Sequence, residues 1–293
     1  MIYDYAIVGY GAAGAQLALA MCEDEFFKEK QILIIEKSES ITNDKRWSFW
    51  QKGNGKFDTV VKHKWDKGEF YSPTANHIEL NLEPYTYKSI HSADFFEYAN
   101  TQLQNHRSFH FAYDAVNDIE QRTDHCEIKC QQTNYQAKVC FDSRVEEADD
   151  TQLKKHVMLW QHFKGWHIKC DKDLFNPDRF VMMDFRYRYP DDTSFIYVLP
   201  YSPQEALIEF TAFTAQVYKH DNKYEDAIKK YLMDHQIEQY EIMEIEQGKI
   251  PMSDYPFHQS STSNIIKIGT AGSWVRPSTG YSFYYISLSL IHI

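Results

Sequence analysis

The chain contains no block of positive charge. Its 31 lysines and arginines stand against 42 aspartates and glutamates, a formal charge of −11 over 293 residues. That balance excludes the dense basic surface that a nucleic-acid partner needs. The five cysteines (Cys22, Cys126, Cys130, Cys140 and Cys170) are odd in number and include no Cys-x-x-Cys pair. They exclude a disulfide frame and a zinc site, and read as reduced thiols of a cytosolic protein. No apolar stretch is long enough to span a bilayer, and Met1 leads straight into an apolar strand, leaving no room for a signal peptide. Peripheral attachment to a membrane stays open. Internal repeats and low-complexity segments are absent too.

What is present begins at once. Tyr5 to Val8 is a short apolar run ended by glycine, which reads as a buried strand. Gly9, Gly11 and Gly14 then supply Gly-x-Gly-x-x-Gly, and the Ala/Leu-rich stretch from Ala12 to Met21 suits a helix starting inside that loop. Ile32 to Ile35 is a second apolar strand closed by Glu36. Each part has a physical task in binding a dinucleotide. Gly9 permits the tight turn, Gly11 lets backbone approach a pyrophosphate, and Gly14 allows close helix–strand packing. The helix N-terminus faces the phosphates, and Glu36 accepts hydrogen bonds from a ribose hydroxyl.

Downstream, a polar loop at 37–45 precedes Arg46-Trp-Ser-Phe-Trp50. These aromatics either pack the loop onto a sheet or wall a cofactor or substrate cavity. The 21 tyrosines, 19 phenylalanines and 6 tryptophans carry the same two readings: a well-filled core, or a pocket for a long apolar or cationic species. Phe57 to Tyr71 alternates like strand, with a break at Lys67-Gly68. Ser92 to Ala99 reads as a helix capped by Ser92. Short strands follow at 109–111, 126–130 and 137–141, the last ending in Asp142-Ser-Arg144, and 146–155 is a charged, solvated run. From Gln161 the pattern becomes strand-rich, over 161–168, 180–185, 195–199 and 205–212, with turns at Pro190–Thr193 and Ser202–Gln204. Tyr224 to His235 has helical spacing, and Ile265 to Gly272 is another strand–glycine unit. The order α/β, strand-rich, α/β predicts a substrate domain inserted into a nucleotide domain. The expected boundaries are 1–45, 90–160 and 250–293 for the nucleotide domain, and 46–89 with 161–249 for the other.

Seven collinear stretches carry a family resemblance: the Gly9/Gly11/Gly14 fingerprint with Glu36, Arg46-Trp-Ser-Phe49, Val139-Cys-Phe-Asp-Ser-Arg144, Gln161-His-Phe-Lys-Gly-Trp166, Met183-Asp-Phe-Arg186 with Phe195-Ile-Tyr-Val-Leu-Pro200, Ala206-Leu-Ile-Glu-Phe-Thr211, and Gly269-Thr-Ala-Gly-Ser-Trp-Val-Arg-Pro-Ser-Thr-Gly-Tyr-Ser-Phe283. Together they resemble the bacterial-type lycopene cyclases. The resemblance implies an α/β fold with a Rossmann-like FAD-binding domain of the glutathione-reductase and hydroxybenzoate-hydroxylase type, carrying an inserted strand-rich substrate domain. It implies conversion of lycopene to β-carotene by proton-initiated ring closure with no net redox change, using reduced FAD with NADPH as its reductant.

In that resemblance Glu209 is the catalytic acid, kept protonated by burial on an apolar strand. Bare strand alternation reads the same residue as facing solvent. Gly269, Gly272, Pro277, Thr279 and Gly280 border the flavin, and Trp47, Phe49 and Trp50 line the polyene or face its cation. Lycopene is a membrane solute, so the resemblance further implies peripheral association with the inner face of a membrane. Plant members carry two adjacent acids where this chain has Glu209 followed by Phe210. Thr270 stands where related hydroxylases have an aspartate for the flavin ribityl chain. The tail from Tyr284 to Ile293 departs from the family pattern, and the expectation is a shortened chain that exposes apolar surface there. A flavin monooxygenase or prenyl-chain reductase on the same fold, and an inactive flavin-binding protein, are the competing readings.

Overall fold

The computed structural model describes residues 1–39, 45–145, 155–220 and 222–293. Most of the polar loop expected at 37–45 and of the charged run expected at 146–155 lies outside the described residues. In chain order the elements are β1 (Ile2–Val8), α1 (Ala12–Glu23), β2 (Ile32–Glu36), β3 (Arg46–Lys52), β4 (Val61–Trp65), β5 (Lys67–Tyr71), β6 (His77–Asn81), β7 (Tyr85–His91), α2 (Ser92–Leu103), β8 (Phe109–Tyr113), β9 (Val116–Gln121), β10 (Cys126–Cys130), β11 (Tyr135–Asp142), β12 (Met158–Cys170), β13 (Phe180–Asp184), β14 (Thr193–Pro200), β15 (Glu205–Thr214), α3 (Asn222–Asp234), β16 (Tyr240–Ser253), β17 (Ile265–Lys267) and α4 (Phe283–Ser289). They form two compact units. One comprises Met1–Asn43, Ser92–Val157 and Asp254–Ile293; the other comprises Asp44–His91 and Met158–Ser253.

The first unit is built on a sheet of order β8-β2-β1-β11-β10-β9, with β17 also paired to β11. The strands β8, β2, β1, β11 and β17 run parallel, whereas β10 pairs antiparallel to both β11 and β9. Parallel strands are covered on both faces, which is why β1 and β2 read as continuous apolar runs. Ala6, Val8, Leu33 and Ile35 join Ile128, Ala137 and Cys140 in one buried cluster. The alternate residue Ile7 lies against α1, its Cγ2 3.2 Å from where a Cβ on Gly14 would be. Small residues line α1, so it packs closely, with Ala13, Ala15 and Ala18 buried.

At the C-terminal end of this sheet, β11 and β17 set Asp142 beside Lys267. Lys267 Nζ donates to Asp142 Oδ2 at 2.9 Å, and Arg144 Nε donates to Oδ1 at 2.9 Å. Burial alone would raise the Asp142 carboxyl; the hydrogen bonds from Arg144 and Lys267 outweigh it and hold it below the usual range. All five cysteines are free thiols. The aromatic tail from Phe283 folds as α4, in place of an exposed run: Phe283 and Ile286 are buried. Gln16 Nε2 donates to the Phe283 carbonyl at 3.1 Å, and Ser287 Oγ donates to Gln16 Oε1 at 2.6 Å. Leu288, Ile291 and Ile293 of that run remain exposed.

The second unit holds a seven-stranded sheet of order β16-β12-β15-β14-β13-β5-β6 and a three-stranded sheet of order β3-β7-β4. The helix α3 buries Tyr224, Ala227, Ile228, Tyr231 and Leu232, the i, i+3, i+4, i+7, i+8 stripe of an amphipathic helix. That stripe packs on Trp166 and Ile168 of β12, Ile196 and Val198 of β14, and Ile208 and Phe210 of β15. Even-numbered positions of β15 therefore lie under the helix, and Leu207, Glu209 and Thr211 point to the other face.

Several expectations need correction here. The break in 57–71 falls at Asp66, not at Lys67-Gly68; Gly68 is inside β5 because a Cβ there would lie 2.9 Å from the Phe180 ring. The helix after Ser92 continues to Leu103. Strands β3, β6, β7, β9 and β16 were not expected. In β6, β9 and β16 exposed and charged residues hide the alternation, and β6 and β16 are the edges of their sheet; β7 instead buries Lys88, Ser89 and His91 beside Tyr87 and Ile90, which breaks its apolar pattern. Among the described residues no helix is long and apolar enough to cross a membrane.

Replacing Lys267 by Met leaves the buried Asp142 with one partner fewer, which is expected to destabilise the first unit by about 3 kcal/mol at neutral pH. A depressed carboxyl contributes stability above its unfolded pKa and loses it as pH falls through its folded pKa. The gap between wild type and variant should therefore shrink on acidification. Denaturant melts across that range measure both effects, and equal stabilities at neutral pH would contradict the assignment.

Candidate active site and nucleotide cradle

In the first unit the glycine loop is shaped by three distinct demands. Gly9 has φ +89°, which favours glycine, and a Cβ there would meet Ser143 Oγ at 2.1 Å. A Cβ on Gly14 would lie 2.1 Å from the Gly9 carbonyl oxygen. Gly11, the N-cap of α1, has an ordinary φ of −79°, and nothing lies within 4 Å of the position a Cβ would take. The chain's own packing thus requires glycine at 9 and 14 and leaves open space at 11. That space adjoins the first turn of α1, whose N–H groups have no partner one turn earlier. The first turn carries no acidic side chain. This geometry fits a pyrophosphate.

Glu36 closes the same loop from the end of β2. Its Oε2 accepts the Tyr10 N–H at 2.6 Å, and Oε1 accepts the Lys37 N–H at 2.9 Å. The second glycine loop reaches the same helix, since a Cβ on Gly269 (φ +61°) would lie 2.8 Å from Ala13 Cβ. Gly272 sits at the end of the ensuing single turn, where a Cβ would strike the Lys267 carbonyl at 2.6 Å. Pro277 and Thr279 are exposed in the following turn and Gly280 is buried. That turn is closed by the Gly280 N–H donating to the Arg276 carbonyl at 2.8 Å. Gly9, Gly11, Gly14, Glu36 and Gly269 therefore gather at one end of α1. For Pro277 and Thr279 the structure gives only the turn.

In the second unit Glu209 lies mid-strand on β15, 8% exposed. It does not face solvent as bare alternation would have it, because the three-stranded sheet contributes groups over this face. Arg46, on β3 and 3% exposed, donates through Nη1 to Glu246 Oε2 and through Nη2 to Glu244 Oε2, each at 2.5 Å. Its Nε donates to His91 Nε2 at 3.2 Å, and Nη2 lies 3.2 Å from His167 Nδ1. Thr211 Oγ1 donates to Glu209 Oε1 at 2.6 Å, and the Glu246 carboxyl lies close enough to act on Glu209 electrostatically.

The electrostatics follow from burial. Desolvation, then the neighbouring Glu246 charge, drives the Glu209 carboxyl well above the usual range. Desolvation also raises Glu246, with the Arg46 guanidinium opposing it. His91 is pushed down to about 3 by burial and by Arg46, so it is neutral at physiological pH. Burial and Arg46 lower His167 as well, and its Nε2 is buried without a hydrogen-bond partner. Burial raises Tyr201. The site is thus a buried cluster in which desolvation and a neighbouring carboxyl favour the protonated form of Glu209 beside the Arg46 ion pairs.

The three aromatics expected to line substrate are separated by strand alternation. Trp50 shares a face of β3 with Arg46, and its ring packs 4.6 Å from Tyr87 and 6.1 Å from Phe180. The Tyr87 hydroxyl meets that of Tyr197 at 2.8 Å, and Tyr197 is the register partner of Glu209 on β14. Trp47 and Phe49 project from the opposite face of the strand. Trp50 therefore joins an aromatic wall leading to Glu209, and the other two do not share it. Along the three-stranded sheet opens a polar cleft of 820 Å³ lined by Lys62, Lys64, Lys67, Lys88, Asp58 and Asp66; those charges do not suit a hydrocarbon. Arg46, His91, His167, Glu244 and Glu246 had no assigned role in the sequence. The one available signal was the Glu244-x-Glu246 spacing, which places both acids on one face of a strand.

No curated protein is detectably similar to this chain. Solved structures are similar in fold. A geranylgeranyl bacteriochlorophyll reductase-like protein of Thermoplasma acidophilum superposes with a TM-score of 0.71 at 12% identity, over 99% of this chain and 76% of that one. The p-nitrophenol 4-monooxygenase of Pseudomonas putida gives 0.68 at 12%, over 99% and 78%. A triple mutant of a flavin-dependent brominase gives 0.61 at 16%, over 99% and 81%. The fold is accordingly mixed α/β with a Rossmann-like unit of the FAD-binding type. The model of a family described as lycopene cyclase protein matches residues 4–289, nearly the whole chain that builds the glycine cradle and the buried acid, and the chain belongs to that family.

Proposed function

We propose that the protein is an FAD-dependent carotenoid cyclase that converts lycopene to β-carotene without net redox change. The observation that carries this reading is the buried Glu209 in a cluster with one guanidinium and an aromatic wall. Such an acid is what ring closure needs. The Glu209 proton adds to the terminal alkene of lycopene and leaves a tertiary cation. The neighbouring double bond attacks that cation, closing the six-membered ring, and a ring proton returns to the Glu209 carboxylate. Substrate and product are isomers. Trp50 and Tyr87 present π-faces to the cation, and burial keeps water from trapping it.

Gly9, Gly11, Gly14 and the N-terminus of α1 would hold the FAD pyrophosphate. Glu36 would hold the ribose once it exchanges the Tyr10 N–H for ribose hydroxyls, and the 269–280 segment would border the ring. Reduced flavin, when bound, supplies electron density that stabilises a nearby cation, with NADPH as its reductant. Association with a membrane surface, from which lycopene is drawn, belongs to the same proposal.

Gly11→Val tests the cradle. The open space and ordinary φ at this position mean that the apoprotein should melt as wild type does, while the purified variant should carry little or no flavin absorbance. Retention of full flavin absorbance would remove the pyrophosphate from this loop.

The reaction itself is tested anaerobically with lycopene, FAD and a chemical reductant in place of NADPH. The expected product has the mass of lycopene. Glu209→Gln, which cannot donate an acidic proton, should lower the rate by roughly a hundredfold or more. A product that requires O₂ would make the protein a monooxygenase, and one that gains two hydrogens would make it a reductase. Consumption of one NADPH per ring closed would likewise end the non-redox reading.

A further inference from the structure

The seven-stranded sheet places four residues in one row: Tyr197 on β14, Glu209 on β15, Gly165 on β12 and Glu246 on β16. Two strand spacings, about 10 Å in all, separate the backbones of the two glutamates. Gly165 puts no side chain of its own between them. A Cβ at that position would lie 2.9 Å from Leu207 Cδ1 and 3.1 Å from Glu209 Cβ, so the Glu209 side chain lies against this glycine, on the strand next to that of Glu246. We propose that Glu209 and Glu246 form a one-proton carboxyl pair, in which Glu246, anchored as the anion by Arg46, is the positioning residue that holds the proton on Glu209. The inference rests on the reading of Glu209 as the acid of the site.

The charge count supports the assignment. One guanidinium faces three carboxyl groups, Glu209, Glu244 and Glu246, and it bonds two of them directly. The flanking rings add no positive charge: His91 on β7 is held neutral by burial and Arg46, and His167 on β12 is pushed the same way. Tyr201 keeps its proton. Lys62 also opposes charge on the two imidazoles, whereas Arg46 is the cation acting on Glu209 and Glu246; a third anion here has no bonded counter-ion, so one proton is retained. Glu246, 5% exposed, takes the Arg46 hydrogen bond and the charge. Glu209 accepts the Thr211 hydroxyl on Oε1 and donates its own proton to Glu246. In turnover, loss of the proton to an alkene carbon leaves two facing carboxylates, and their repulsion drives recapture of the proton from the ring cation. The pair thereby keeps the acid charged with its proton at neutral pH and resets it after each closure.

Infrared difference spectra of the purified flavin-loaded protein, recorded through a pH titration, read the protonated carboxyl directly and need no substrate. Wild type should show a buried protonated-carboxyl band that persists through neutral pH. Glu209→Gln should abolish it. Glu246→Gln removes the anion and leaves Arg46 less neutralised, so the Glu209 band should survive but titrate about one pH unit or more lower, a tenfold change in ionisation constant. The descending limb of the pH–rate profile should move with it. If Glu246→Gln does not fold, Glu246→Asp, which keeps the charge but draws it back by one methylene, should give a smaller downward shift. A Glu209 band unmoved in these variants would overturn the proposal, because burial alone would then hold the proton. So would a band that survives Glu209→Gln, because the proton would then sit on Glu246. Absence of any cyclic product, with the spectra as stated, would instead end the cyclase reading and leave the pair intact.

Discussion

Everything in the second unit follows from one guanidinium buried with more acids than it can neutralise. Arg46 is nearly inaccessible and still binds two carboxylates, an arrangement whose desolvation cost is offset only when hydrogen bonds are complete. Completing them requires β3 and β7 over one face of the large sheet and β16 beside β12 at its edge. The same surroundings raise the proton affinity of the remaining acid, Glu209. The chemistry of the acid is therefore a consequence of charge arithmetic in a dry place, not of any special property of its own strand.

Glycine is used in three physically different ways. At 9 and 269 it supplies a backbone conformation that other residues resist. At 14, 68 and 165 it supplies volume, so that a carbonyl, a phenyl ring, or a leucine and a glutamate can come close. At 11 the chain needs it for neither reason, and the space it leaves is open. That last case is the most informative about function, since a glycine that the apoprotein does not require points to a ligand. The same loop–helix–strand unit holds Glu36 on backbone N–H groups, which keeps its carboxylate in place at the mouth of the cradle.

Fold likeness and family membership answer different questions here. Structures that superpose on the chain at 10–16% identity include reductase-like, monooxygenase and halogenase proteins, so the fold leaves the chemistry undecided. The buried acid beside its ion pairs is a feature that fold likeness alone does not supply. This is why the proposed reaction is argued from Glu209 and its neighbours and not from the Rossmann-like unit.

The opening strand–glycine–helix–strand unit was legible in the sequence because each of its signals is local: apolar runs, glycine spacing and an acid at the end of a strand. The helix α3 was legible for the same reason, through its 3.6-residue stripe, as were the central strands β12, β14 and β15. Residue types and their order also sufficed for the fold class. Edge strands β6 and β16 were not legible, because an edge must carry polar residues to discourage pairing and so loses its alternation. What only the tertiary structure decided is which side chains meet. Arg46, His91, His167, Glu209 and Glu246 span 200 positions of chain, and no periodicity relates them. The separation of Trp50 from Trp47 and Phe49 likewise depends on which face of β3 the large sheet covers. Proton affinity is set by desolvation and by charges within a few ångströms, and such distances exist only once the two sheets of the unit have packed.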